Sequence, residues 1–198
     1  MAPESTGSQA GAGPGGQGQD SPRTVCVFTP TYDRAYILPV LYDSLVAQTS
    51  HDFVWMIVDD GSTDGTEELV ASWIERGEIE IDYVKTANGG KPRAINLGVE
   101  RAANPLFFVV DSDDWLLPGA IEHVLATWET IKGQDRYAGI VALRGTDDHT
   151  PMDTWMPTGA RDVKYWDLFE TMGFRGDTSL IHRTEVLRDY PYDVAPGE

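Results

Sequence analysis

Short apolar runs alternate with helix-type patterns along the middle of the chain. Runs typical of strands lie at 25–28, 54–58, 106–110 and 137–143, and apolar residues alternate with acids over 79–83, as in a strand more exposed on one face. Between them, apolar residues recur at the three- and four-residue spacing of an amphipathic helix, as in Leu38, Leu41 and Leu45. This alternation predicts an α/β fold with a mostly parallel sheet and helices on both faces, arranged in three layers.

Some helix patterns have clear boundary signals. Asp64 and Glu67 have the spacing of a capping box, and Gly77 is placed to end the helix that follows. Its predicted inner face consists of Leu69, Val70, Trp73 and Ile74. Pro118 can open a later helix, because the first turn does not need its missing N–H. After residue 145 the pattern weakens, and we expect a long loop, a short helix over 163–172 and a strand over 179–182.

Three of the predicted strands end in unusual polar loops. Their sequences are TPTYD at 29–33, DDGSTDG at 59–65 and DSDDW at 111–115. The carboxyl ends of parallel strands meet at one edge of a sheet, and ligands of such sheets bind beyond that edge. We therefore expect the three loops to form one site.

The last of these loops places three carboxylates, those of Asp111, Asp113 and Asp114, within four positions. Carboxylates this close repel each other and resist burial unless a positive partner lies among them. Their oxygens suit Mg²⁺ or Mn²⁺, which substrate phosphates usually complete. The alternative is a solvated acidic turn before a helix, whose N-terminal dipole favours acids.

Other motif matches fail on inspection. The DDGSTDG loop begins like a calcium loop but has Ala71 where a bidentate glutamate is needed. The GGK at 89–91 is followed by Pro92, where a phosphate loop has serine or threonine. The four histidines have no metal-ligand spacing with one another. These matches therefore add no site.

The composition narrows the class of partner. The chain has 198 residues, with 15 basic and 32 acidic side chains and a formal charge of −17. Such a charge is poorly suited to nucleic-acid backbones or anionic lipid, although a bridging cation would still allow phosphate binding. The single cysteine, Cys26, excludes an internal disulfide, and its apolar surroundings predict a buried structural thiol.

The ends of the chain differ from its middle. Residues 1–22 are rich in Gly, Gln, Ser and Pro, and we interpret them as a disordered tail without a signal-peptide pattern. No apolar segment approaches the roughly 20 residues that span a bilayer, which favours a cytoplasmic protein without a transmembrane segment. We expect the folded part to be 23–198. Its last residues are not typical of a domain end, so a C-terminal part that is incomplete is an open alternative.

Four blocks, in this order, resemble the family 2 glycosyltransferases. They are VCVFTPTYDRAYILPVLYDSLVAQT, VDDGSTDGT, NGGKPRAINLGVERA and FFVVDSDDWLLPGAI. The resemblance covers 24 to about 131, and more loosely to about 190. It implies a Rossmann-like glycosyltransferase A fold, with a nucleotide-sugar half at 23–131 and an acceptor half at 132–198.

The resemblance also implies an activity. Family members transfer a sugar from a nucleoside-diphosphate sugar to an acceptor hydroxyl, usually with inversion, using Mn²⁺ or Mg²⁺. A UDP-sugar is favoured as the donor. The acceptor, whether a glycan, a lipid-linked sugar or a small molecule, is not specified, and neither is the oligomeric state.

The resemblance implies roles for individual residues. For the nucleotide, it indicates Pro30, Tyr32, Asp60, Gly90, Lys91 and Asp111. For the metal, it indicates Asp111 and Asp113 as an aspartate-x-aspartate pair, with Asp114 beside them. The chemistry agrees, since an aromatic face suits a flat base and a carboxylate can accept from a base N–H or a ribose hydroxyl.

Two departures from the family pattern affect this interpretation. Asp33 stands where the family commonly has asparagine. An inverting transferase also needs a general base, and the family's downstream acidic motif is not found. Asp177 and Asp148 are the candidates.

Three alternatives to an active transferase therefore remain. The first is an inactive or truncated domain that binds nucleotide-sugar. The second is a nucleotidyltransferase, which would normally carry a glycine-rich loop that TPTYDRAY lacks. The third is a metal-binding or structural protein without nucleotide affinity.

Overall fold

The computed structural model describes residues 23–147 and 149–194. The predicted tail at 1–22 and the candidate base Asp148 lie outside the described residues. The division into a nucleotide-sugar half and an acceptor half remains a prediction.

Six strands and six helices alternate along the described chain. The strands are β1 (Val25–Thr31), β2 (Phe53–Asp59), β3 (Ile81–Lys85), β4 (Leu106–Val109), β5 (Gly139–Leu143) and β6 (Thr178–Arg183). The helices are α1 (Leu38–Val46), α2 (Thr66–Arg76), α3 (Lys91–Arg101), α4 (Ala120–Ile131), α5 (Tyr165–Glu170) and α6 (Thr184–Asp189). The six predicted strands, including the one expected over 179–182, and the predicted helices are therefore present, and α6 is a helix that the pattern did not predict.

The strands form one sheet in the order β3-β2-β1-β4-β6-β5. The pairs β1–β2, β1–β4 and β2–β3 are parallel, whereas β6 runs antiparallel to both β4 and β5. The mostly parallel sheet is confirmed. Because β6 runs in the opposite direction, it begins at the edge where β1, β2, β4 and β5 end.

Helices cover both faces of this sheet. On one face, buried side chains of α1, α2 and α4, including Leu41, Trp73 and Ile121, pack against alternate residues of β1, β2 and β4. On the other face, α3 and α6 supply Ile95 and Leu187, among others. The three-layer prediction is therefore confirmed, and the alternation of side chains along each buried strand supplies both layers.

The cysteine prediction is also confirmed. Cys26 lies in β1, on the face of the sheet that α3 and α6 cover, and is a free, fully buried thiol. Burial is the main cause that raises the pKa of this thiol above its usual range. The side chain therefore acts as a small apolar residue of the core.

Two details of α2 differ from the prediction. Ile74 is 46% exposed rather than on the inner face. Glu67 does not complete a capping box, since its carboxylate accepts from Lys85 Nζ at 2.8 Å and Gly65 takes the N-cap position without a side-chain cap. Gly77 does end the helix, in the left-handed conformation with φ of +64°. Because α2 begins at Thr66, Glu67 is its second residue rather than the third that a capping box requires.

Within 23–147 and 149–194, no helix combines the length and hydropathy needed to cross a bilayer.

Candidate functional site

A cleft of about 320 Å³ lies at the edge where β1, β2 and β4 end. Predicted site residues that line it are Pro30, Tyr32, Asp60, Lys91, Asp111 and Asp113. Side chains from all three polar loops therefore meet at one place. They meet because parallel strands deliver their carboxyl ends to the same edge.

Reciprocal hydrogen bonds join the first two loops. The Asp33 amide donates to Ser62 Oγ at 2.9 Å, and the Thr63 amide donates to Asp33 Oδ1 at 2.7 Å. The Ala35 amide donates to Asp64 Oδ2 at 2.9 Å. Asp33 has a φ of +50°, a conformation that Asp and Asn tolerate better than most residues. The aspartate in place of the family's asparagine thus keeps both the backbone conformation and an acceptor.

Two adjacent carboxylates at the end of β2 are held firmly. Asp60 accepts from the Gly89 and Gly90 amides, both at 2.8 Å. Asp59 is fully buried and accepts from the Ser62 amide at 2.7 Å and from Tyr83 Oη at 2.6 Å. Burial, followed by this bond to Asp59, raises the pKa of Tyr83 above its usual range. Asp59 therefore anchors the strand end, while Asp60 faces the cleft with oxygen lone pairs still available.

The glycine turn before α3 belongs to the same unit. Gly90, with φ of +85°, is the N-cap residue of α3, and Lys91 is the first residue of that helix. Gly90 does not line the cleft but binds Asp60 through its amide. Because Gly90 has no side chain, it takes part in the site through its backbone amide.

Each carboxylate of the DSDDW loop lies near a different cation of the chain. Asp111 Oδ1 lies 2.5 Å from Lys91 Nζ, and Asp113 Oδ2 lies 4.0 Å from Arg34 Nη1. The carboxylate of Asp114 accepts a hydrogen bond from Arg144. The three acids therefore tolerate one another in this structure because three cations from three different elements lie among them.

Asp114 differs from the other two acids. Its side chain is 31% exposed, against 58% for Asp113. Burial raises the pKa of Asp114, although the Arg144 guanidinium acts in the opposite direction. Asp114 is not among the residues that line the cleft.

Two of the three carboxylates in the DSDDW loop fit a divalent metal ion. In the described ranges, no three His, Cys, Asp or Glu side chains are grouped so that they could hold a metal ion. Asp111 and Asp113 do line one cleft, and Mg²⁺-type ions are often bound by one or two carboxylates with substrate phosphates completing the shell. The two residues fit such an ion, whereas the Asp114 carboxylate is engaged with Arg144.

The candidate base Asp177 lies apart from the cleft lining. Its Oδ2 is 3.4 Å from Arg144 Nη1, and its Oδ1 accepts from the Thr178 amide at 2.7 Å. Its neighbourhood is thus the start of β6 and the end of β5. The structure therefore brings together most of the predicted nucleotide and metal residues but not the candidate base.

Several residues near the cleft were missed from the sequence. Thr31, Arg34, Ala94 and Ser112 also line the cleft. Thr31 is 3% exposed, and its Oγ1 has no hydrogen-bond partner among the described residues. Thr31 and Ser112 lie within the TPTYD and DSDDW loops, Arg34 directly follows the first of them and Ala94 lies in the third block of the family resemblance, so the sequence held a usable signal for all four. Arg144 had no such signal, because it lies outside every block.

A family model described as Glycosyl transferase family 2 matches residues 26–189, well over half of the chain. An uncharacterised glycosyltransferase of Nostoc sp. is 29% identical over 106 residues, which cover 54% of this chain and 33% of that protein. The chain thus spans about a third of the length of this curated relative.

Two solved structures share the fold. A fragment of Staphylococcus aureus TarS in complex with UDP-GlcNAc has a TM-score of 0.61 and 20% identity, covering 84% of this chain and 47% of that one. A mannosyltransferase of Pyrobaculum calidifontis in complex with GDP-Man and Mn²⁺ has a TM-score of 0.63 and 19% identity, covering 90% and 50%. These likenesses confirm the expected glycosyltransferase A fold.

Proposed function

The chain belongs to glycosyl transferase family 2, and on that premise we propose that it is a metal-dependent inverting glycosyltransferase. The donor would be a nucleoside-diphosphate sugar, with a UDP-sugar favoured, and the acceptor a hydroxyl group. One observation carries the proposal. The cleft joins an exposed aromatic ring, a held carboxylate and cation–carboxylate pairs at the ends of β1, β2 and β4.

The base of the donor would bind at the β1 and β2 side of the cleft. Tyr32 is half exposed, so a flat base can stack on its ring. Asp60 offers an acceptor whose position is set by two amide donors. The Thr31 hydroxyl adds a further polar group at the same edge. Together these groups match a base or a ribose with donor and acceptor edges.

The diphosphate would bind at the β4 side. Lys91 and Arg34 are the cations that lie against Asp111 and Asp113, and both line the cleft. Asp111 and Asp113 would hold the metal, which when bound stabilises negative charge on the leaving diphosphate. The cations of the chain would offset the same charge from the other side.

Inversion needs a base that takes the proton of the acceptor hydroxyl. Asp177 and Asp148 remain our candidates. Asp177 lies against Arg144 and is not among the residues that line the cleft. The alternative function is a domain that binds nucleotide-sugar without transferring the sugar.

Calorimetric titration tests the donor site. The protein is titrated with UDP, GDP and dTDP, each with Mn²⁺ and with EDTA. We expect one nucleotide, UDP first, to bind tightly only with the metal. Absence of binding for all three would refute the donor site. Binding without any transfer or hydrolysis of the sugar nucleotide would support the non-catalytic alternative.

Asp113→Ala isolates the metal contribution. We expect it to remove the gain in nucleotide affinity that Mn²⁺ produces, because Asp113 is exposed and its loss should leave the fold intact. The exposed Asp135, outside the cleft, gives the matched control Asp135→Ala. A gain unchanged in Asp113→Ala would remove the metal assignment.

A further inference from the structure

Arg144 lies at the edge of the sheet that carries the cleft, where β4 and β6 are no longer paired. Pairing between β4 and β6 ends at Phe108 and Ile181, whereas β5 and β6 remain paired as far as Leu143 and Thr178. The loop after β4 and the start of β6 are therefore not joined by a strand ladder at this edge. Arg144 directly follows the last residue of β5.

The backbone of Arg144 is fixed on both sides. Its amide donates to the Asp177 carbonyl at 3.1 Å, and its carbonyl accepts from the Met152 amide at 2.9 Å. Because the backbone is already ordered, only the rotamer freedom of the side chain is lost when the guanidinium binds. The guanidinium can therefore act as a defined bridge rather than as a mobile surface charge.

The guanidinium of Arg144 contacts both sides of the gap. One terminal nitrogen donates to Asp114, in the loop after β4, and the other lies 3.4 Å from Asp177 Oδ2, just before β6. A guanidinium has the forked donor geometry for two acceptors, which a lysine lacks. The side chains of Arg144 and Asp114 are only 30% and 31% exposed, less than either of the other two pairs of this loop.

The backbone of Asp114 belongs to the same hydrogen-bonded turn as Asp111 and Asp113, the two carboxylates of the cleft. Its amide donates to the Asp111 carbonyl at 3.0 Å, which closes a turn that contains Asp113. Farther along, the Leu116 amide donates to Ser44 Oγ at 3.1 Å. Holding the Asp114 side chain therefore restrains the whole turn.

We propose that Arg144 is a positioning residue that locks the turn of 111–114 to the start of β6, through Asp114 and Asp177. It sets the geometry of Asp111 and Asp113 without touching the donor. Asp114 would then act as an anchor rather than as a metal ligand. The consequence for donor binding rests on the proposed function, whereas the restraint on the turn does not.

Hydrogen exchange measures the restraint directly. In Arg144→Gln, we expect amides of 111–117 to exchange about tenfold faster, while β1 and β2 are unaffected. Arg136→Gln is the matched control, because Arg136 also pairs with an acid, Asp162 at 3.7 Å, but on an exposed surface. Unchanged exchange at 111–117 would overturn the proposal.

Nucleotide titration then tests the consequence. We expect Arg144→Gln to reduce the gain in affinity that Mn²⁺ produces by about tenfold, as for other residues that orient metal ligands. A merely structural role would lower the thermal midpoint and leave this gain unchanged. The double variant Asp114→Asn with Arg144→Gln should be no worse than Asp114→Asn alone, and additive losses would contradict the bridge.

Two further outcomes are assigned in advance. If Arg144→Gln does not fold, Arg144→Lys replaces it, and we expect a smaller effect in the same direction because one ammonium cannot span both acids. No effect of that variant on either measurement would overturn the proposal. If the wild type binds no nucleotide, the proposed function fails, and hydrogen exchange alone decides the role of Arg144.

Discussion

The sheet is held together differently on its two sides. On the side of β1 and β2, strands are buried on both faces and the loops are joined by short side chains that bind backbone amides. On the side of β5 and β6, every residue of β5 is partly exposed, and the loop after β4 is joined to it by a long arginine side chain.

The difference shows how each part of the site is held. A carboxylate that accepts from two backbone amides has little freedom, whereas the turn of 111–114 depends on a single arginine side chain. The β1 and β2 side is thus held by several short contacts, and the loop after β4 by one long side chain. Four predictions test this contrast, in order of decreasing effect.

The largest difference is expected in the core. Ile57 in β2 is fully buried, whereas Ile140 in β5 is only partly buried against the same cluster. We expect Ile57→Ala to lower the free energy of unfolding by about 2–5 kcal/mol. The same substitution at Ile140 should cost less than half as much. Chemical denaturation of both variants measures the two values, and equal losses would remove the contrast.

The second prediction concerns one hydroxyl group on each side. Tyr83→Phe leaves the fully buried Asp59 without one of its donors, so we expect a loss of about 1–3 kcal/mol in the free energy of unfolding. Tyr165→Phe removes a contact of 3.1 Å with Thr178 Oγ1 at an exposed site, and should cost under about 1 kcal/mol. A larger loss in Tyr165→Phe would show that the β5 and β6 side is the more firmly held one.

The third prediction uses nucleotide affinity. Tyr32→Ala should weaken nucleotide binding by about 1–3 kcal/mol if a base stacks on the ring, by analogy with base stacking on other aromatic side chains. Tyr190 is also exposed but lies beyond β6, and Tyr190→Ala serves as the control. Calorimetry on both variants gives the values. An unaltered dissociation constant in Tyr32→Ala would exclude stacking.

The smallest effect is expected from pH. Burial lowers the pKa of His182 in β6, and its Nδ1 has no hydrogen-bond partner in the described part of the chain. The unfolded chain then binds the proton more readily, so stability is complete above the unfolded pKa of about 6.5 and falls as the pH drops below it.

The slope of this loss should be below about 1.4 kcal/mol per pH unit, as one group can give no more. His182→Phe should flatten the dependence of the unfolding free energy on pH between about 6.5 and 5, and the exposed His123→Phe is the control for the substitution itself. A slope that persists in His182→Phe would assign the effect to other groups.

Much of the part of the fold formed by β1, β2 and β4 was predictable because its signals are local. Apolar runs located β1, β2 and β4, and each run ends in the loop that lines the cleft. The capping signal failed because α2 begins at Thr66, one residue later than the spacing requires, so Glu67 is its second residue rather than its third. The pairing of Asp114 with Arg144 had no signal, since Arg144 lies outside every block.

The part formed by β5, β6 and α6 was predicted less well, because its arrangement depends on contacts between distant residues. The reversed direction of β6 depends on pairing with β4 and β5, and α6 is a single short helix at its end. Neither leaves a periodic pattern long enough to recognise. The contact between Arg144 and Asp177 joins residues that no motif connects.

The sequence by itself determined the strand–helix alternation, the burial of the central strands and the three polar loops at one edge, because periodicity and parallel strand direction follow from local chain chemistry. The tertiary structure alone decided which cation lies against each carboxylate, and which of the three acids faces the cleft. Those pairings depend on the side chains of Arg34, Lys91 and Arg144, which the packing of separate elements places beside the acids. The spacing of residues along the chain does not specify such distances in space.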